Sequence, residues 1–263
     1  MNSGDCVAGM KALVAGEYQV IIADPPYNIG KDFGNNSDRQ EMTTYLSWCT
    51  EWIAECYRLL ADDGTLYIYG FPEILAQIQV ACVPKSAKLR WLVWHYTNKT
   101  TPSSKFWQRS HESILCVWKT GKHPHFNLDA VREPYTDTFI NNAAGKVRRA
   151  TKGRFCDGQT ETVYKANELG AMPRDVIKVP ALAGGAGKKE RVDHPTQKPL
   201  ELCRTLLKAS QKEGCKVLIP FAGSGSECVA ARDLGLDWTA FEINPEYIKL
   251  VQQRLEPEAP PAS

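Results

Sequence analysis

The chain of 263 residues lacks several features that would place it in a common class of protein. No run approaches the roughly 18 consecutive apolar residues of a transmembrane helix, so no membrane span is predicted. The first residues, MNSGDCVAGMK, have neither the basic start nor the apolar stretch of a secretory signal peptide. No Gly-Lys-Ser or Gly-Lys-Thr occurs, which excludes an ATP-binding P-loop.

The nine cysteines also lack any recognisable arrangement. Their number is odd, no Cys-x-x-Cys occurs, and no set of cysteines and histidines has the spacing of zinc ligands. His123 and His125 flank Pro124, but no further ligand lies nearby in the sequence. We therefore expect reduced core cysteines in a cytoplasmic protein and no metal site.

Net charge is small, at +2, but it is unevenly distributed along the chain. Residues 141–192 contain eleven Lys or Arg and five Asp or Glu, so this segment carries +6 and the rest of the chain −4. Such asymmetry is typical of a protein that meets a polyanion with one face. A solvated basic surface explains the charge equally well, and charge alone does not decide between the two.

An apolar strand pattern runs directly into a conspicuous polar motif. Residues 18–23 (YQVIIA) predict a buried strand, and Asp24-Pro25-Pro26-Tyr27 follows it at once. Since prolines cannot continue a central strand, the motif is expected just past the strand's carboxyl end. In open α/β sheets this is the edge at which ligands bind.

The remaining patterns predict two α/β halves separated by a loop-rich region. In the first half we expect a helix over 45–60 and strands over 65–69, 89–96 and 113–118. The second half predicts helices over 200–209, 226–234 and 245–255 and strands over 215–221 and 238–241. The alternation predicts a largely parallel sheet with helices on both faces, a three-layer Rossmann-like fold. Domain boundaries are expected at 1–120, 121–193 and 194–256, with a disordered tail over 257–263.

One glycine-rich turn has the features of a nucleoside site. A strand, Gly223-x-Gly225, a helix, a second strand and then Glu242 follow in order. The glycines let a ligand approach the backbone, and Glu242 can accept hydrogen bonds from ribose hydroxyls. The third glycine of a dinucleotide fingerprint is absent, which favours a nucleoside without a pyrophosphate. A simple tight turn is the competing interpretation.

The motif Asp24-Pro25-Pro26-Tyr27 suits chemistry on the amino group of a nucleobase. That nitrogen is a poor nucleophile because its lone pair is delocalised into the ring. The Asp24 carboxylate can accept one N–H and the Pro25 carbonyl the other, which turns the lone pair toward a methyl donor. Tyr27 offers a flat face for a base that has been flipped out of a duplex. The competing interpretation is a proline-rich turn with a solvated Asp24.

Together these residues resemble the bacterial and phage DNA methyltransferases that methylate amino groups. The resemblance covers nearly the whole chain and follows the circularly permuted order of the beta group, in which the catalytic motif precedes the cofactor motif. Its landmarks, in order, are Gly4-Asp5-Cys6, Asp24-Pro25-Pro26-Tyr27-Asn28, His111-Glu112-Ser113-Ile114-Leu115, His194-Pro195-Thr196-Gln197-Lys198-Pro199, Phe221-Ala222-Gly223-Ser224-Gly225 and Phe241-Glu242-Ile243-Asn244-Pro245.

The resemblance implies a cofactor, a substrate and a role for each matching residue. S-adenosylmethionine would be the cofactor and double-stranded DNA the substrate, with transfer to adenine N6 more usual for this motif than transfer to cytosine N4. A homodimer and a companion restriction endonuclease would be possible partners. Asp24, Pro25, Pro26 and Tyr27 would be catalytic. The cofactor would be bound by Asp5, Cys6, Asp24, Thr196, Lys198, Phe221, Ala222, Gly223, Ser224, Gly225, Glu242, Ile243 and Asn244, with Asp5 at its adenine, Glu242 at its ribose and Thr196 and Lys198 near its methionine carboxylate. DNA contacts are expected from Asn28, Lys146, Arg148, Arg149, Lys152 and Arg154, within a target-recognition region over 121–193.

One position departs from the family. The family usually has an acid two residues before the phenylalanine of its cofactor motif, and this chain has Ile219 there. Ile219 either continues a buried strand with no consequence, or weakens cofactor binding and leaves a DNA-binding homologue with little activity. The first interpretation is favoured, and a cytosine N4 enzyme remains a further alternative.

Overall fold

The computed structural model describes residues 1–31, 33, 38–98, 104–149, 151–153, 157–159, 161–163, 165–185 and 187–256. These residues form ten strands and seven α-helices in largely alternating order. The strands are β1 (Asn2–Ser3), β2 (Tyr18–Ala23), β3 (Leu60–Gly70), β4 (Lys88–His95), β5 (His111–Trp118), β6 (Val147–Arg149), β7 (Glu161–Val163), β8 (Val176–Lys178), β9 (Lys216–Ile219) and β10 (Asp237–Glu242). The helices are α1 (Cys6–Lys11), α2 (Met42–Leu59), α3 (Pro72–Ala81), α4 (Asp137–Asn142), α5 (Leu200–Ser210), α6 (Ser226–Asp233) and α7 (Pro245–Leu255).

Eight of these described strands form one sheet in the order β1-β10-β9-β2-β3-β5-β4-β8. Every neighbouring pair is parallel except those of β5, which runs antiparallel to both β3 and β4. The prediction of a largely parallel sheet is confirmed, with β5 as its reversed strand. The reversal brings the start of β5 to the same edge as the carboxyl ends of β2 and β4.

Alternation along the central strands builds a core on each face of the sheet. In β2, Ile21 and Ala23 pack with helices α1, α2 and α3, whereas Val20 and Ile22 pack with α5, α6 and α7. All six residues of β2 are buried, as expected of a parallel strand covered on both faces. The three-layer α/β fold predicted from the sequence is therefore confirmed.

The residue that departs from the family lies inside one of these cores. Ile219 ends β9, is fully buried, and packs with the helices α5, α6 and α7. It is not among the residues that line the cavity described below. The side chain thus continues the buried apolar run of Val217 and Leu218.

A smaller compact unit, Asn127–Arg174, stands apart from the unit that contains the eight-stranded sheet. Its described residues include α4 and the antiparallel hairpin of β6 and β7. Tyr135 and Phe139 stack at 4.6 Å between ring centroids, and Glu133 forms an ion pair with Arg174. The unit is narrower than the predicted region 121–193, because β8 joins the main sheet beside β4. The expected disordered tail, 257–263, lies outside the described residues.

Candidate active site

A cavity of about 220 Å³ lies where the loops after β2, β9 and β10 meet. Strands β2 and β9 are neighbours, and their chains leave in opposite directions along the sheet. Such a switch point in strand order is where open α/β sheets bind ligands. Of the residues predicted for the site, the cavity lining includes Asp5, Cys6, Asp24, Pro25, Pro26, Tyr27, Thr196, Phe221, Ala222, Gly223, Ser224, Glu242, Ile243 and Asn244.

The Asp24 carboxylate is fixed by two donors at the mouth of β2. Its Oδ1 accepts hydrogen bonds from the Tyr27 hydroxyl at 2.8 Å and from the Lys198 ammonium at 2.9 Å. Its Oδ2 accepts from Lys198 alone, also at 2.9 Å. The Pro26 carbonyl accepts from the Tyr45 hydroxyl at 2.7 Å, which anchors the proline turn to α2. Asp24 Oδ2 thus retains acceptor capacity for another donor.

The structure places Lys198 differently from the prediction. Its ammonium is buried against Asp24, lies 3.7 Å from Glu112, and does not line the cavity. Burial alone would lower the pKa of Lys198, but the carboxylates of Asp24 and Glu112 outweigh this effect and raise it above its ordinary value. Lys198 is therefore a permanently charged partner of Asp24, so the expected position near a methionine carboxylate is corrected.

Tyr27 also differs from the open stacking surface that the sequence predicted. Its ring is buried, meets Phe71 edge to face at 5.3 Å, and has the Lys198 ammonium 5.3 Å from its centroid. Its hydroxyl donates to Asp24 and, at 3.2 Å, to Glu112. Burial, and then the nearby carboxylates, raise the pKa of Tyr27, so the hydroxyl stays protonated and works as a donor.

Glu112 and Asp38 are two site residues whose roles the sequence did not reveal. Glu112, at the start of β5, accepts from Tyr27 and from the Tyr96 hydroxyl at 3.3 Å. Asp38 is buried, and its carboxylate accepts the backbone N–H groups of residues 28, 29 and 31. Asn28, predicted to contact DNA, has φ +58° and spends its side chain on the backbone of Gln40. In this structure Asn28 thus shapes the loop after the proline turn.

On the other side of the cavity, Glu242 joins two loops through its carboxylate. One oxygen accepts the Gly223 N–H at 2.7 Å and the other the Asn244 N–H at 2.8 Å. Because a carboxylate has about four acceptor positions, each oxygen can accept one hydroxyl as well. Gly223 has φ +48°, and a Cβ there would lie 3.1 Å from His194. The arrangement fits the ribose of a nucleoside.

Gly225 acts through packing and not through the cavity lining. It begins helix α6 with φ +78°, and a Cβ would lie 2.9 Å from Val251. The cavity's apolar wall is formed instead by Phe221, whose ring meets Trp48 and Trp52 edge to face. A planar ring is well suited to such a wall.

The amino end of the chain closes the cavity from a third direction. The Asp5 carboxylate accepts the Ala8 N–H at 2.9 Å and so caps helix α1. Burial raises the pKa of Cys6 to about 12, so its thiol is neutral. Gly4 donates its N–H to the Glu242 carbonyl, which ties this segment to β10. Asp5 and Cys6 therefore lie beside the Glu242 loop, as the motif order predicted.

Two further titratable side chains line the cavity. Glu227, in the first turn of α6, is buried and accepts a hydrogen bond from the Cys203 thiol at 3.4 Å. Burial and the charge of Asp24 raise its pKa to about 7. Burial lowers the pKa of His194 to about 4, so its imidazole is neutral near pH 7. Neither role could be inferred from the sequence, where Glu227 follows the glycine turn like any helix acid.

The residues expected to contact DNA are distributed between the two units. In the smaller unit Lys146, Arg149 and Lys152 are exposed, and Arg149 lies 3.5 Å from the exposed Glu161. Arg148 lies in β6, and Arg154 lies outside the described residues. Within the part of the chain that the structure describes, no cluster of three potential metal ligands occurs, and no helix is long and apolar enough to cross a membrane.

Comparison with known proteins identifies the family. Residues 18–253 match the model of the N6/N4 DNA methylase family. The chain is 31% identical over 256 residues to the type II methyltransferase M.HpaI of Haemophilus parainfluenzae, covering 97% of this chain and 73% of that protein. It is 32% identical over 253 residues to the DNA adenine methyltransferase YhdJ of Escherichia coli, covering 96% and 81%. The chain belongs to the DNA methylase family.

Solved structures agree in fold with this DNA methylase. The M1.HpyAVI–SAM complex superposes with a TM-score of 0.61 at 20% identity, covering 97% of this chain and 98% of that one. The cytosine-N4-specific PvuII DNA methyltransferase superposes with a TM-score of 0.64 at 13% identity, covering 98% and 86%. S-adenosylmethionine is the methyl donor of the family, and the cavity's ribose-binding geometry at Glu242 suits it.

Proposed function

We propose that this DNA methylase transfers a methyl group to N6 of adenine in a flipped-out base of double-stranded DNA. The observation that carries the proposal is the position of Asp24, which reaches from the end of β2 into the same cavity as Glu242. A carboxylate beside a nucleoside cavity is placed to hold the amino group that receives the methyl group. The relative YhdJ is named a DNA adenine methyltransferase, which supports adenine over cytosine.

Each group of the proposed catalytic set has a distinct task. Asp24 Oδ2 accepts one N–H of the adenine amino group and orients the nitrogen lone pair toward the methyl donor. The Lys198 ammonium holds the carboxylate in position, while the Tyr27 hydroxyl and Glu112 complete the network around it. S-adenosylmethionine supplies an electrophilic methyl group. After transfer the nitrogen releases one proton, and the two products are N6-methyladenine and S-adenosylhomocysteine.

Cofactor binding is assigned to the residues that line the opposite wall. Glu242 would accept the ribose hydroxyls, Asp5 the adenine amino group, and Phe221 would pack against the adenine ring. Gly223 and Ser224 leave room for the ligand at the turn. The neutral His194 imidazole and Thr196 lie on the remaining side of the lining.

The smaller unit, Asn127–Arg174, is proposed to select the DNA sequence. Its exposed Lys146, Arg149 and Lys152 suit the phosphate backbone. The motifs of the larger unit account for the chemistry, so sequence choice is assigned to a part of the chain that they do not occupy. Ile219 does not argue against activity, because its side chain is part of the core.

The test is methyl transfer in vitro with analysis of the product. Unmethylated duplex DNA is incubated with the protein and S-adenosylmethionine, hydrolysed to nucleosides and examined by mass spectrometry. We expect N6-methyladenine from the parent protein. Asp24→Ala should reduce the rate by about 100-fold or more, because a charge-assisted contact at the reacting nitrogen is lost, while calorimetry shows the cofactor still bound.

Asp62→Ala is the matched control, since this carboxylate is 75% exposed and at the start of β3. N4-methylcytosine as the product would make this a cytosine enzyme. Turnover of Asp24→Ala within tenfold of the parent would remove Asp24 from the mechanism. Absence of any methylated nucleoside, with DNA still bound, would support a binding protein instead.

A further inference from the structure

The loop between β4 and β5 lies at the catalytic edge of the sheet. Strand β4 is parallel to β2 in the sheet's direction, and β5 returns antiparallel, so His95 and His111 pair at the edge where β2 ends at Ala23. A hydrogen bond from the Tyr96 N–H to the Ser110 carbonyl closes the base of the loop. The described part of the loop, residues 104–110, therefore extends from the proposed active site.

Two large aromatic side chains at the tip of this loop are exposed. Phe106 is 79% exposed and Trp107 is 88% exposed, the highest value among the large apolar side chains that the structure describes. Exposed aromatic groups next to a functional site mark a surface that contacts a partner. Lys105 precedes them, Arg109 follows, and residues 104–110 contain no acid. The surface therefore suits a partner with stacked rings and negative charge.

Contacts at the base of the loop connect it to the proposed catalytic tyrosine. The Arg109 guanidinium lies 4.3 Å above the Phe71 ring, and Phe71 contacts Tyr27 at 5.3 Å. An ion pair with Glu73 holds Arg109 in place at 2.6 Å. Trp107 is two residues from Arg109, or at most about 7 Å of extended chain. The aromatic tip is therefore close to the position that a flipped base would occupy.

We infer that Trp107, supported by Phe106, is a wedge that inserts into duplex DNA beside the flipped base. The inference rests on the proposed function, because only a base-flipping enzyme leaves a gap in the duplex. Apolar side chains fill such gaps and stack on the neighbouring bases. Lys105 contacts the adjacent phosphates. Trp107 thereby favours the extruded state of the target without touching the cofactor.

The test compares two duplexes that contain the methylated site, once sequencing of modified DNA has located it. In one the target base is paired, and in the other it lies opposite an abasic position, so that flipping requires less energy. Trp107→Ala should lose 10-fold to 100-fold in kcat/KM on the paired duplex and less than threefold on the other. Trp107→Phe should retain most activity, and the cofactor affinity should be unchanged in both variants.

Phe126→Ala is the matched control. Phe126 is 54% exposed, and its neighbour His125 bonds to Asp63 at the opposite edge of the sheet. Unchanged kcat/KM for Trp107→Ala on the paired duplex, or equal losses on both duplexes, would overturn the wedge. Methylation by the parent in the same experiment keeps the proposed function standing in either case. No methylation by the parent on either duplex would instead reject that function.

Discussion

Replacement of Lys198 by methionine tests the buried ion pair at the centre of the site. The Lys198 side chain is 3% exposed and its ammonium lies 2.9 Å from both oxygens of Asp24 and 3.7 Å from Glu112. Methionine has a similar length and no charge, so Lys198→Met leaves two buried carboxylates without their cation. Loss of one partner of a buried ion pair destabilises a protein by about 3–5 kcal/mol.

A surface ion pair in the same chain provides the control. Lys212 lies 2.8 Å from Asp63, with side chains that are 40% and 35% exposed. Because solvent screens such pairs, Lys212→Met should reduce the free energy of unfolding by no more than about 1 kcal/mol. The two variants remove the same charge at similar distances, so the difference between them measures the effect of burial.

The assay is urea unfolding of the parent protein and both variants at about pH 7 and about pH 9. The carboxylates hold the pKa of Lys198 above its ordinary value, so the stability that its charge contributes is present below the unfolded pKa and lost only above the folded one. The loss in Lys198→Met should therefore be the same at both pH values. It should shrink when Asp24→Asn is also present, because the two side chains are coupled. A loss no larger than that of Lys212→Met would refute the reasoning.

Three further predictions concern the cofactor wall, a buried acid and the smaller unit. Glu242→Ala should weaken S-adenosylmethionine binding tenfold or more by calorimetry, because charged hydrogen bonds are lost, whereas Glu246→Ala, exposed on α7, should leave it unchanged. Burial raises the pKa of Glu227 from 4.5 to about 7, so its contribution to stability is present below about pH 4.5 and is lost as the pH rises through 7. Glu227→Gln should therefore be more stable than the parent at about pH 8, by up to about 3 kcal/mol, and not at about pH 4.5; equal curves of unfolding free energy against pH would contradict this. In a salt titration of DNA affinity, alanine at four basic positions should lower the log–log slope by about one for each lost phosphate contact, and coinciding slopes would show that they do not face DNA. The four positions are Lys146, Arg148, Arg149 and Lys152.

The sequence predicted the elements whose patterns are local. Strand β2 occupies 18–23 as its apolar run indicated, and helix α7 spans the predicted 245–255, from a proline at its first turn to the last apolar residue. The direction of β5 was not predictable, because an apolar strand pattern is the same in either direction. Helix α3 was not predicted, and the two-residue strand β1 is too short to produce a pattern.

The site shows the same division between local and distant information. Asp24 and Glu242 were predicted because each ends a strand and belongs to a motif of adjacent residues. The contact between Lys198 and Asp24 joins residues 174 positions apart, and no spacing in a single sequence encodes it. Glu112 and Glu227 are ordinary acids in the sequence, and only burial beside the cavity distinguishes them.

Sequencing that detects modified bases tests the central claim most directly. DNA is taken from cells that lack adenine methylation of their own and that express either the parent protein or Asp24→Ala. We predict N6-methyladenine at one short defined sequence with the parent protein and none with Asp24→Ala. Methylation on cytosine, no modified base at all, or equal adenine methylation with both proteins would contradict the account.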